Sequence, residues 1–144
     1  MPSFTNQIAN MVQVGPIVEI AVAPSLLYVQ TMTKKGKTIP APVKAVAMID
    51  TGASGTVVTP GLVQQLGLSP VGTSKMSTPS TVAAVEAAVY NLGLAFPNGV
   101  SIPSVMALEA PLGGQHIQCL IGRDVLQHCV LNYVGYINQY TLSF

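Results

Sequence analysis

An apolar run from Val43 to Ile49 ends in Asp50, and Thr51 and Gly52 follow at once. The run is rich in β-branched and apolar residues, so it predicts a β-strand that leads into a tight turn. Glycine at such a turn lets the backbone approach the carboxylate closely, and the Thr51 hydroxyl is free to form a hydrogen bond. The sequence therefore predicts a carboxyl group held rigidly at the mouth of a buried strand.

Carboxylates are scarce in the rest of the chain. The acidic residues among the 144 are Glu19, Asp50, Glu86, Glu109 and Asp124. General acid/base hydrolysis by carboxyl groups needs two of them, one protonated and one ionised. The chain has a single Asp-Thr-Gly turn, so Asp50 needs a partner that this turn alone does not supply.

A second motif, Leu120-Ile121-Gly122-Arg123-Asp124, lies near the C-terminal end. Taken in order, the segments MIDTGASGTVV and CLIGRDVLQHCVLNY resemble the retropepsin family, the retroviral-type aspartic proteases and their cellular and bacterial relatives. Members carry one Asp-Thr/Ser-Gly-Ala turn per chain and a second signature that opens a short helix. The resemblance implies an all-β fold, with residues 1–144 forming one closed β-barrel-like domain with one or two short helices.

The resemblance also implies an activity, that of an aspartic endopeptidase acting on peptide or protein substrates as a homodimer. Each subunit would contribute Asp50 to a pair about 3 Å apart that shares one proton and activates a water molecule. Thr51 and Gly52 would support this pair, and no metal or other cofactor is implied. The implied substrate-binding residues are Ala53, Ser54, Met76, Ser77, Thr78 and Ile121. The implied structural residues of the second signature are Gly122, Arg123 and Asp124.

The chain departs from the viral pattern directly after Ala53. Viral members usually have an acidic residue there, which pairs with the arginine of the second signature, whereas this chain has Ser54. We therefore expect Arg123 to pair with Glu109 or Asp124, or to hydrogen-bond backbone carbonyls. The flap that closes over peptide in the family would have its tip near residues 76–83.

Asp124 has two interpretations. It could pair with Asp50 within one subunit, or it could cap the helix that follows it or pair with Arg123. An aspartate at the start of a helix accepts hydrogen bonds from free backbone amides and favours the positive end of the helix dipole. We favour the structural interpretation.

Composition limits the other classes of function. Hydrophobic residues make up 49% of the chain and charged residues only 8%, which predicts that another subunit covers part of the surface. Lys34, Lys35, Lys37 and Lys44 cluster near one predicted turn, and no aromatic residues accompany them as a nucleic-acid platform would require. No window resembles a membrane span or a signal peptide, so we expect no membrane contact within this chain and a location that is cytoplasmic or else undetermined by the sequence.

Local patterns predict several elements. Ile17–Val22, Leu26–Thr33 and Val43–Ile49 read as strands, and Thr59-Pro60 begins a short helix that ends at Gly67. Asn98-Gly99 predicts a hairpin turn. Cys119 is expected in the core, and the segment 129–133 resembles the dimer-forming terminal strand of viral retropepsins.

The alternative function is a catalytically weak peptide-binding or assembly domain of the same fold.

Overall fold

A closed barrel of six strands forms the centre of the computed structural model, which describes residues 1–77, 83–113 and 116–144. The strands of the chain are β1 Ser3–Gln7, β2 Ile17–Pro24, β3 Val43–Ile49, β4 Val57–Val58, β5 Gly72–Met76, β6 Val85–Ala95, β7 Ser101–Glu109, β8 Cys119–Ile121, β9 Val130–Val134 and β10 Gln139–Ser143. The α-helices are α1 Met11–Val14, α2 Leu26–Lys34, α3 Pro60–Leu66 and α4 Arg123–Leu126, with 3₁₀ turns at Pro97–Gly99 and Gly135–Ile137.

The barrel follows the order β2-β3-β8-β4-β7-β6 and closes where β6 pairs with β2. Most neighbours are antiparallel, but β3 pairs with β8 in parallel, and β4 pairs with β7 in parallel. Alternate residues of β2 are buried, namely Val18, Ile20 and Val22, as expected for a strand with one face on the core. The prediction of an all-β, retropepsin-like barrel with short helices is confirmed.

A separate three-stranded sheet, β1-β10-β9, packs beside the barrel. Phe4 of this sheet stacks on Phe96 with ring centroids 6.2 Å apart. Tyr140 is fully buried, and its hydroxyl donates a hydrogen bond of 2.7 Å to the carbonyl of Ile17. The aromatic packing therefore fixes the small sheet against the end of β6, and the hydrogen bond fixes it against β2.

The segment predicted as a strand over Leu26–Thr33 is instead a helix. Ser25 explains the difference, because its buried hydroxyl accepts a hydrogen bond of 3.2 Å from the amide of Tyr28 and caps the first turn. Thr31 and Thr33 have β-forming side chains, but their hydroxyls donate to the carbonyls four residues earlier, at 2.8 and 2.7 Å. Of the lysine cluster, Lys34 ends α2, Lys35 and Lys37 follow it in the connection to β3, and Lys44 lies on β3, so the predicted turn follows a helix and not a strand.

The predicted positions of two strands, one helix and one hairpin turn agree with the structure. Strands β2 and β3 lie where expected, and α3 begins at Pro60 and ends before Gly67, which has a left-handed φ of 63°. Asn98 and Gly99 both have positive φ, 62° and 74°, and connect β6 to β7. Within the described ranges, no helix combines the length and the apolar character needed to cross a membrane.

Candidate active site

Asp50 lies where the two sequence motifs meet. It directly follows β3, and its amide donates a hydrogen bond of 2.9 Å to the carbonyl of Ile121 at the end of β8. Because β3 and β8 are parallel neighbours with Ile49 opposite Ile121, their ends lie at the same edge of the sheet. The barrel thus brings together two segments that are far apart in sequence.

The turn after Asp50 holds the carboxylate in place. The amide of Gly52 donates to Asp50 Oδ1 at 2.9 Å, and the amide of Ala53 donates to the Asp50 carbonyl at 3.3 Å. A Cβ atom at Gly52 would lie 3.1 Å from Asp50 Oδ1, so glycine permits this close approach. Asp50 is half-buried while Thr51 and Gly52 are exposed, so the carboxylate is fixed on one side and accessible on the other.

Arg123 fastens the same turn from the second motif. Its Nη1 donates to the carbonyl of Thr51 at 2.7 Å, and its backbone amide donates to the carbonyl of Ala53 at 2.9 Å. In the part of the chain that the structure describes, no carboxylate lies within ion-pairing distance of Arg123. Of the partners expected from sequence, the backbone carbonyl is the one observed.

Asp124 serves the structure of the second motif. Its carboxylate accepts hydrogen bonds of 3.0 Å from both the amide and the hydroxyl of buried Thr56, and one of 2.9 Å from the amide of Val125. Asp124 lies within the first turn of α4, whose N-cap is Gly122, so it does not cap the helix as expected but ties this turn to the segment before β4. The carboxylate does not line the cleft that contains Asp50, so the geometry favours the structural interpretation.

Gly122 allows the two motifs to pack backbone against backbone. A Cβ atom at this position would meet the carbonyl carbon and oxygen of Gly55 at 2.5 Å. Such a distance is far inside van der Waals contact, so a residue with a side chain does not fit without displacing the loop.

A cleft of about 710 Å³ opens in front of Asp50. It is lined by Asp50, Gly52, Ala53, Ser54, Gly55, Val57, Met76, Ser77, Val85, Leu108, Ala110, Pro111, Leu112, Leu120 and Arg123. The residues expected at the substrate therefore include four that line this cleft: Ala53, Ser54, Met76 and Ser77. Thr78, with most of the expected flap tip, lies outside the described residues.

Ile121 lies elsewhere, because its side chain is fully buried in the core. Its neighbour Leu120 faces the cleft instead. Side chains two apart on a strand point to the same face. Ile121 therefore faces the core with Cys119, and Leu120 between them faces the opposite side. The same rule could have found Leu120. Sequence reasoning also missed the apolar wall formed by Val57, Val85, Leu108, Ala110, Pro111 and Leu112.

The cysteines are poorly suited to nucleophilic chemistry. Burial, with a smaller effect of the Asp124 charge, raises the pKa of the Cys119 thiol to about 12. Burial also raises the pKa of Cys129. Since the thiolate is the nucleophilic form, a raised pKa leaves each cysteine less reactive than a free thiol at neutral pH.

Residues 30–125 match the family model for aspartyl proteases. The chain belongs to the aspartyl protease family. The match includes both the Asp50 turn and the second motif as far as Val125, and it confirms the resemblance seen in the sequence. No curated protein shows significant sequence similarity to this aspartyl protease family member.

The chain is similar to solved structures of one bacterial and two viral proteases. A retropepsin-like aspartic protease from Rickettsia conorii is 15% identical, with a TM-score of 0.53, and the alignment covers 99% of this chain and 94% of that one. Simian foamy virus (mac) protease is 17% identical with a TM-score of 0.47, covering 77% and 91%. EIAV protease in complex with an inhibitor is 16% identical with a TM-score of 0.46, covering 84% and 93%. The Rickettsia structure supports the retropepsin-like fold of this aspartyl protease family member.

Proposed function

We propose that the chain is a single-domain aspartic endopeptidase that acts as a homodimer, with one Asp50 from each subunit forming the catalytic pair. The observation that carries this proposal is the setting of Asp50, whose carboxylate is held by Gly52 at the mouth of an apolar cleft. All five acidic residues lie in the described parts of the chain, and Asp50 is the one that lines this cleft.

Dimer formation follows from the need for a second carboxyl. A two-fold axis next to the Asp50 turn brings the same turn from a second copy into contact. The exposed position of Thr51 supports this arrangement, because its hydroxyl is then available to the backbone of the partner subunit. Exposed apolar side chains on the edge strand β9, Val130 at 58% and Tyr133 at 49%, provide further surface for a second copy to cover.

Two carboxyls about 3 Å apart cannot both ionise, so the Asp50 pair holds one shared proton. The ionised member takes a proton from a bound water molecule, which attacks the carbonyl carbon of the peptide. The protonated member donates a hydrogen bond to the carbonyl oxygen as negative charge develops there. The carboxyl that took the proton from water then donates a proton to the leaving nitrogen, and the C–N bond breaks. No covalent intermediate forms.

Asp50→Asn tests the proposal most directly. The variant keeps the size of the side chain but cannot supply a carboxylate, so we expect cleavage of an unstructured protein between about pH 4 and 7 to disappear. Glu86→Gln is the matched control, because it removes an exposed carboxylate on β6 outside the cleft. Wild-type cleavage should be blocked by a pepsin-type transition-state inhibitor.

Mixing wild-type and Asp50→Asn subunits tests the dimer separately. In an equal mixture that has fully exchanged, about one quarter of the dimers carry two carboxylates, so activity per wild-type subunit falls to about half. An independent monomer would keep full activity per wild-type subunit. If the wild type were inactive, and the Asp50→Asn protein bound peptide with unchanged affinity, the chain would be a peptide-binding domain instead.

A further inference from the structure

The cleft in front of Asp50 has few charged lining residues. Arg123 is its one basic lining residue among the described residues, and Asp50 is its one acidic lining residue. Most of the other lining side chains are apolar or small. A positive group in such a wall is desolvated when a peptide fills the cleft, so it needs an acceptor on the peptide or on the protein.

The guanidinium of Arg123 keeps most of its donors free. It carries five N–H groups, and within the described residues a single side-chain hydrogen bond is found, from Nη1 to the carbonyl of Thr51. Arg123 is exposed, and the edge formed by Nε and Nη2 has no acceptor from the described parts of the chain. This edge has the geometry that binds a carboxylate through two parallel hydrogen bonds.

The chain's own carboxylates are engaged elsewhere or lie out of reach. Glu19 pairs with Lys44 at 3.5 Å, and Asp124 accepts from Thr56. Described carboxylates do not approach Arg123 to within 4.0 Å. Meanwhile the bond to Thr51 orients the guanidinium, so less side-chain entropy is lost when a ligand binds.

We propose that Arg123 is a specificity-determining residue that binds the carboxylate of a glutamate or aspartate side chain in the substrate. The substrate class is then an apolar peptide with an acidic residue near the cleaved bond. This inference rests on the proposed peptidase function and names its substrate. Because Arg123 and Asp50 line the same cleft, the acidic residue lies within a few positions of the cleaved bond. A homodimer presents Arg123 on both sides of the Asp50 pair, so acidic residues on either side are accepted.

A set of matched peptides tests this preference. An apolar peptide carries glutamate, or its neutral isostere glutamine, at each position up to three residues before or after the cleaved bond. We expect kcat/KM to favour glutamate by about tenfold or more at one or two positions at about pH 6. The preference should shrink as salt is added, and as the pH falls through the peptide carboxyl's pKa of about 4.3. Equal rates for all pairs in the wild type would overturn the inference while leaving the peptidase function intact.

Variants assign the preference to Arg123. Arg123→Gln should bring the glutamate-to-glutamine ratio close to one, and Arg123→Glu should reverse it in favour of lysine peptides. Lys37→Gln is the matched control, since it removes one positive charge from an exposed residue outside the cleft. A ratio that survives in Arg123→Gln would also overturn the inference.

Binding provides a readout that does not depend on cleavage. The Asp50→Asn protein should bind the glutamate peptide about tenfold more tightly than the glutamine peptide, measured as Kd by fluorescence anisotropy. Equal Kd values would contradict the role of Arg123. A wild-type protein that cleaves none of the peptides, together with a retained difference in Kd, would contradict only the peptidase function.

Discussion

Asp124 accepts two hydrogen bonds from Thr56, one from the backbone amide and one from the hydroxyl, both at 3.0 Å. Thr56 is fully buried, and its hydroxyl also accepts a hydrogen bond of 3.4 Å from the amide of Gly122. This small network joins the segment after the Asp50 turn to the start of α4. It therefore links the two sequence motifs at a point away from the cleft.

We expect Asp124→Ala to destabilise the fold by about 2–4 kcal/mol, because it leaves the buried amide and hydroxyl of Thr56 without their acceptor. Urea unfolding measures the change. Thr56→Val removes only the hydroxyl, and a double-mutant cycle should give a coupling energy of about 1 kcal/mol. Asp124→Ala with wild-type stability but no peptidase activity would instead point to Asp124 as a catalytic acid.

Gly122→Ala should be poorly tolerated, because its Cβ would lie 2.5 Å from the backbone of Gly55. Relief of that contact requires movement of the loop, so we expect a loss of at least about 2 kcal/mol in the free energy of unfolding. Gly61→Ala is the control. Its Cβ meets no atom within 4 Å, and alanine within α3 should raise stability by about 0.5–1 kcal/mol. Equal stabilities of the two variants would contradict the close packing of the motifs.

The sequence predicted the elements that carry strong local signals. The apolar run before Asp50 and the proline and glycine around α3 each have one favoured structure, and each was found. Helix α2 was misread because its threonines and apolar residues also suit a strand, whereas the cap from Ser25 decides the outcome. The partner of Arg123 could not be chosen from sequence, since the choice depends on how closely β3 and β8 approach.

The walls of the cleft were likewise only partly predictable from the sequence. Asp50, Ala53 and Ser54 line the cleft together because they follow one another on a single turn. Val57 and Leu108 come from β4 and β7, and their position beside Asp50 depends on the strand order of the barrel. A single sequence does not reveal that order.

Leu120 and Ile121 should respond differently to truncation. Leu120→Ala removes apolar contact area from the cleft wall, so we expect a several-fold lower kcat/KM for peptides with large apolar side chains and little change in stability. Ile121→Ala leaves a cavity in the core and should cost about 2–5 kcal/mol in unfolding free energy. Peptide kinetics and thermal unfolding of both variants check this division. A Leu120→Ala protein with unchanged kinetics would remove Leu120 from the substrate-binding wall.

Tyr140 should make the fold sensitive to alkaline pH. Burial raises the pKa of Tyr140 to about 12 from a usual value of 10.0, although the hydrogen bond from Asn6 acts in the opposite direction. Between these values the unfolded chain releases the phenolic proton and the native chain keeps it, so the unfolded state binds fewer protons. Stability is therefore constant with respect to this group below about pH 10, and roughly 2–3 kcal/mol is lost as the pH rises towards 12.

Tyr140→Phe isolates this effect. The variant should be less stable at neutral pH because the hydrogen bond to Ile17 is lost, but its stability should fall less steeply above about pH 10 than that of the wild type. Tyr136→Phe is the control, because that residue is 89% exposed and removal of its hydroxyl should leave the alkaline slope unchanged. Denaturant titrations from about pH 8 to 12 measure the slopes. Parallel curves for the wild type and Tyr140→Phe would mean that Tyr140 ionises equally in the folded and unfolded states.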